Sequence, residues 1–115
     1  MTLRRFIRQT GLTMEAERVG PVTWRCTLNR DGRRYTTTVN SFWRPSSEDV
    51  LRKLKDPAAT VEAFDAQREP WEARQAWTRS PGENRERWEK MHEVHRGLSA
   101  LFTDREMRIF LYKTR

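Results

Sequence analysis

A chain of 115 residues has room for one modest core and not for two separate domains. Hydrophobic residues make up 36% and charged residues 34%, but five tryptophans and five phenylalanines supply large apolar areas, so the chain reads as folded and not disordered. The single cysteine, Cys26, excludes an internal disulfide and a cysteine-based metal cluster, and no apolar run is long enough to span a membrane.

The net charge of +7 is unevenly spread. Residues 1–44 hold nine arginines against three acids, whereas residues 45–115 hold 14 lysines and arginines against 13 acids. The positive field therefore belongs to the front of the chain. Such a field suits an acidic partner, either nucleic acid or an acidic protein face. The plainer alternative is a solvated arginine-rich surface. No signal-like apolar stretch opens the chain, which points to the cytoplasm.

In chain order, Leu3, Phe6 and Ile7 share one side at helical spacing, which predicts a helix over 3–9 stopped by Gly11. Leu12, Met14 and Ala16 alternate with Thr13, Glu15 and Glu17, so Leu12 to Val19 reads as a strand ended by Gly20-Pro21. The sharpest signal follows. Asp31-Gly32 suits a type I′ turn, whose two central residues both need positive φ. Its register sets Arg30 opposite Arg33, Leu28 opposite Tyr35, Cys26 opposite Thr37, Trp24 opposite Val39 and Val22 opposite Ser41. All of these pairs but the first are assigned to one, largely apolar side. The other side carries Thr23, Arg25, Thr27, Asn29, Arg34, Thr36, Thr38 and Asn40 and is wholly polar. Cys26 then falls on the inner side as a buried thiol.

The rest of the chain supplies cover for the apolar side. Pro45 to Asp49 opens a helix carrying Val50, Leu51 and Leu54. Asp56-Pro57 reads as the start of a second helix with Val61 and Phe64. Glu69-Pro70 interrupts it, and a third short helix holds Trp71 and Trp77. Ser80-Pro81-Gly82-Glu83 is a capping box that starts what reads as the longest helix, with Trp88, Met91, Val94, His95, Leu98, Leu101 and Phe102 on one side. Thr103 to Glu106 is another capping box, ahead of a last helix with Met107, Phe110 and Leu111. The expected fold is α+β: one domain over 1–115, with an N-terminal helix and a three-stranded antiparallel sheet in 1–44. Several C-terminal helices in 45–115 cover one face of that sheet.

No catalytic motif emerges. There is no nucleophile elbow and no glycine-rich phosphate loop, and the acids sit beside basic neighbours on helix faces. His92 and His95 are spaced i,i+3, unlike a helical zinc pair, and His95 reads as a satisfied core histidine. The chain is expected to be neither an enzyme nor a cofactor or metal carrier. The candidate partner-binding residues are Arg25 and Arg34 on the polar ribbon face, Arg30 and Arg33 framing its tip, and Trp43 and Arg44 after it. Arginine and tryptophan are enriched at interface hot spots, and an arginine-bearing ribbon also suits phosphates. A threonine-rich outer face is equally ordinary for β-propensity reasons. Trp43, Trp71 and Trp77 exceed what periodicity places; they are lids over the core or, where exposed, marks of a partner site.

The chain resembles a loose family of small bacteriophage and prophage proteins. The resemblance rests on the opening Met1–Met14, the Trp-x-Cys-x-Leu strand and hairpin of Trp24–Tyr35, the run from Pro45 through Val50-Leu51 to Leu54, Phe64, and the tryptophan-bearing closing helix. It covers most of the chain and its motifs are structural. Small proteins of this kind include anti-CRISPR proteins, which bind a CRISPR effector and block it. The resemblance thus implies a non-catalytic inhibitor in the cytoplasm of a bacterial host, with a CRISPR–Cas effector as partner. A basic nucleic-acid-binding accessory protein is the alternative. No membrane contact is implied, and the oligomeric state stays open. Where such proteins run Ser-Met-Gly-x-Gly after the second hairpin strand, Ser41 is followed here by Phe42-Trp43-Arg44.

Overall fold

A computed structural model of the chain describes residues 1–67 and 83–115. The elements run α1 (Leu3–Thr10), β1 (Thr13–Arg18), β2 (Thr23–Arg30), β3 (Arg33–Asn40), α2 (Ser47–Gln67), α3 (Glu83–Leu101) and α4 (Asp104–Lys113). This is the expected α+β class, with a three-stranded antiparallel sheet in the order β1-β2-β3. The expected helix around Trp71 and Trp77, the break at Glu69-Pro70, most of the Ser80–Glu83 box and the side chain of Phe64 lie outside the described residues.

Local chemistry sets most of the boundaries. The Thr2 hydroxyl accepts from the Arg5 backbone N–H and opens α1. Gly11, at φ +72°, closes it with its N–H on the carbonyls of Ile7 and Arg8. Asp31 and Gly32 both take positive φ, +49° and +80°, as a type I′ turn requires. The register is the expected one: Arg30 opposite Arg33, Leu28 opposite Tyr35, Cys26 opposite Thr37 and Trp24 opposite Val39. At the start of α2, Ser46 and Asp49 exchange backbone-to-side-chain hydrogen bonds of 3.0 and 3.2 Å. At the start of α4, Thr103 and Glu106 form a complete capping box.

Pro57 does not begin a helix. It lies inside α2, which is 21 residues long and outruns the 19-residue α3 expected to be the longest. A proline within a helix costs about 3 kcal/mol through the lost N–H and the ring's clash with the carbonyl four residues back. Val50, Leu51, Leu54, Ala58 and Val61 continue one buried stripe across the proline. Keeping that stripe in the core outweighs the break.

The core lies between the inner face of the sheet and the helices. Cys26 and Leu28 are fully buried beside Val50, Leu51, Leu98 and Leu101. Burial pushes the Cys26 thiol up, so it stays protonated and inert. Phe6, Phe102 and Phe110 meet with ring centroids 5.2–6.1 Å apart and tie α1 and α4 to the turn between α3 and α4. His95 is half-buried, not core, and its Nε2 lies 3.3 Å from the Glu62 carboxylate across α2 and α3.

The hairpin tip is tied down on the helix side. The period-two alternation that turns Leu28 inward turns Arg30 inward as well. Its guanidinium donates to the Leu101 carbonyl at 3.0 Å and to Glu106 Oε1 at 2.5 Å, and lies 5.8 Å from the Phe102 ring centroid. Arg33 donates to the Ala100 carbonyl at 3.2 Å. The last turn of α3 has no basic residue of its own, so two arginines from the hairpin satisfy its free carbonyls and face its negative end.

Two outcomes follow from this packing. A Cβ on Gly97 would sit 2.4 Å from the Tyr35 ring. Gly97→Ala is therefore expected to lower stability by about 1–2 kcal/mol in urea titrations, because the steric cost exceeds the roughly 1 kcal/mol that alanine gains in a helix. The second outcome concerns pH. Arg30 foremost, then the Thr103 N–H and hydroxyl, hold the Glu106 carboxyl down from 4.5 to about 2. A depressed carboxylate contributes its full stability above pH 4.5 and loses it as pH falls from 4.5 towards 2. Partial exposure reduces the effect, so the loss is on the order of 2 kcal/mol. Glu106→Gln preserves the cap but not the charge. It should be less stable near neutral pH and should flatten the acid limb of stability measured against pH.

Candidate protein-docking surface

The six candidate residues do not form one site. Arg30 and Arg33 are engaged with α3 and α4, and Arg30 is largely covered, so neither belongs to the open ribbon face. Arg25 and Arg34 are exposed on that face as expected. The face is not cationic, however. Pairing of β1 with β2 sets Glu17 opposite Arg25 and Glu15 opposite Thr27, so two acids share it with the two arginines. The excess of arginine in residues 1–44 is thus a property of the segment and not of one surface. The sequence places Glu15 and Glu17 on the polar side of the first strand, but only the pairing of β1 with β2 sets them against Arg25 and Thr27.

Trp43 and Arg44 lie at the opposite end of the sheet, in the loop that leads from β3 to α2. Trp43 is 82% exposed and its neighbour Phe42 84%. Two adjacent aromatic side chains so open to water lose the apolar contacts that the other described phenylalanines find in the core. Trp43 is a binding candidate from the sequence, whereas Phe42 stands there only as part of the Phe42-Trp43-Arg44 run. The signal available was the same for both: neither falls on the period of a neighbouring strand or helix.

The loop is nevertheless well fixed. The Ser41 N–H donates to the Val22 carbonyl at 2.8 Å, continuing the β2–β3 ladder. The Trp24 indole donates to the Ser41 carbonyl at 3.1 Å. The Ser41 hydroxyl donates to the Trp43 carbonyl at 2.7 Å and lies 3.3 Å from the Trp43 N–H. Pro45 is buried and anchors the far side. A backbone pinned on both sides presents Phe42 and Trp43 with little further ordering to lose on binding.

The adjoining turn extends the apolar surface. Val19 and Val22, 42% and 38% exposed, flank the β1–β2 turn, and the Val22–Ser41 bond brings that turn beside the loop. Val22 is therefore not part of the covered apolar side. Charged side chains of both signs stand at this end, the acids being Glu17 on β1 and Glu48 and Asp49 at the start of α2. Arg44 is exposed, Arg18 donates to the carbonyls of Gly20 and Pro21, and Lys53 reaches the Asn40 carbonyl. The surface is thus an aromatic and aliphatic patch with charged neighbours of both signs.

Other sites offer less. A cavity of about 400 Å³ lies under β3, lined in part by Tyr35, Thr37, Lys53, Lys90 and Glu93. Among the described residues, no group of three or more His, Cys, Asp or Glu is placed to hold a metal ion, and no helix is long and apolar enough to cross a membrane. Compared with protein families, curated proteins and solved structures, the chain matches no family model, no curated protein and no solved structure.

Proposed function

We propose that this chain is a non-catalytic binding protein that docks through Phe42, Trp43 and Arg44. The observation that carries the reading is the pinned, water-exposed aromatic pair. Tryptophan and arginine are the side chains that dominate binding energy when a partner buries them. The loop's own cation, Arg44, fits a carboxylate at the rim of an otherwise apolar partner surface. The resemblance to small phage and prophage proteins gives the partner: a CRISPR effector in a bacterial host, blocked by occupation of its surface and not by chemistry.

The test is an interference assay in a CRISPR-active host, paired with affinity capture. The wild-type chain should protect an infecting phage and capture effector subunits. Phe42→Ser/Trp43→Ser, folded by circular dichroism, should bind at least about 30-fold more weakly, the loss expected of a hot spot. Unchanged interference with the wild-type chain would sink the CRISPR assignment. Undiminished capture by the double variant would sink the docking surface.

A second reading, nucleic-acid binding, draws on a different surface. Arg105, Arg108 and Tyr112 follow one another at i, i+3 and i+7 on the exposed side of α4, with Tyr112 58% exposed. Cations interleaved with an aromatic ring suit phosphates and an unstacked base. Binding through this stripe should weaken steeply between about 50 and 200 mM salt, and Arg105→Glu/Arg108→Glu should lower the salt slope by roughly 2. A mobility-shift titration reads both, and absence of binding at low salt removes this reading.

A further inference from the structure

The outer edge of β3 points to a second copy of this chain. In a two-residue hairpin the closing pair, here Arg30 and Arg33, is hydrogen-bonded, and bonded pairs then alternate along the ladder. Tyr35, Thr37 and Val39 therefore turn their backbone groups towards β2. Arg34, Thr36, Thr38 and Asn40 turn theirs to the outer edge. The 3.1 Å contact between the Thr27 and Thr36 hydroxyls fits this phase, because side chains approach most closely at non-bonded pairs.

Among the described residues that edge has one charged guard of its own, Arg34. β3 contains no proline or lysine, and Arg34, Thr36 and Thr38 are exposed. Among the described residues, one side chain reaches the outward backbone groups: Lys53, from α2, donates to the Asn40 carbonyl. Among the described residues the open edge thus runs from Arg34 to Thr38 and is centred on Thr36.

We propose that two copies pair antiparallel through this edge, with the two-fold axis at Thr36. The axis sets Thr36 against Thr36 of the second copy and Arg34 against its Thr38, so about six backbone hydrogen bonds form without displacing Lys53. On the underside Tyr35 meets Thr37. Within the two paired strands no like charges face each other in this register. The other edge does not allow the same arrangement. The outward groups of β1 belong to Met14, Ala16 and Arg18, and a two-fold at Ala16 would set Glu15 against Glu17 on the same face. Pairing β1 with β3 of another copy would not close and would propagate as a fibre. The β3 pair closes, giving one six-stranded sheet. It also sets Asn40 opposite Gly32 of the second copy, so the Phe42–Trp43 loop of each copy lies beside the other's hairpin tip.

Sedimentation equilibrium of the full chain tests this. A small edge interface predicts a micromolar dimer. The wild-type chain should weigh twice 13.8 kDa at about 100 μM and dissociate on dilution. Thr38→Pro removes an outward N–H without touching the β2 ladder and should be monomeric. Thr36→Lys and Thr36→Glu, which set like charges together at the axis, should each be monomeric, and an equimolar mixture of the two should recover the dimer. A wild-type chain that stays monomeric at about 100 μM overturns the proposal, as does a dimer that survives both Thr38→Pro and Thr36→Lys.

Discussion

The guanidinium of Arg30 is where the two halves of the fold meet. From one strand end it reaches the last carbonyl of α3, the carboxylate at the start of α4 and the face of the Phe102 ring. Three elements far apart in sequence are fixed to one planar group. Such a charge, largely out of water, is tolerated because its opposite charge and a helix's negative end are both within hydrogen-bonding reach. Removing any one partner would leave the others under-satisfied. The hairpin is therefore not a freestanding arm but the clasp that closes the helical layer.

That clasp redistributes the charge of the molecule. Of the arginines at the tip, Arg30 is turned inward and Arg33, though exposed, is tied to α3, while the open face of the sheet balances two arginines with two glutamates. What remains for a partner lies elsewhere: the aromatic loop at the far end of the sheet and the arginine stripe of α4. The loop carries the larger apolar exposure on an ordered backbone. An ordered loop binds with less conformational cost than a floppy one of the same composition. This supports recognition of a protein surface over attraction of phosphates by the ribbon.

The strand edge adds a second consideration. Soluble sheets usually blunt their edges with lysine, proline, bulges or a covering element. Here β1 has glutamates, and β3 has Arg34 followed by threonines. A lightly guarded edge of high β-propensity is a liability in a monomer and an asset in a symmetric pair. The proposed pairing would set each aromatic loop beside the other copy's hairpin tip and present two docking loops on one particle, so engagement of one loop would raise the effective concentration of the other.

Much of this was legible in the residues. The Asp31-Gly32 turn, the register of β2 and β3, the Gly11 stop and the Thr103–Glu106 box depend on contacts within a few residues, and each formed as the local chemistry dictates. Even the inward turn of Arg30 was implicit in alternation, once the period is carried to the end of the strand. What served Arg30 there was not legible: the acceptors are 71 and 76 residues away, and no local pattern couples them. The same holds for Pro57, where a strong local stop yields to a buried stripe that only the assembled core provides, and for Glu15 and Glu17, which reach the arginine face through strand pairing. By itself the sequence determined turns, caps and which residues share a side, because these are short-range matters of dihedral angle and hydrogen bond. The tertiary structure decided which arginines stay free and which aromatics stay in water, because exposure is settled by whatever else packs nearby.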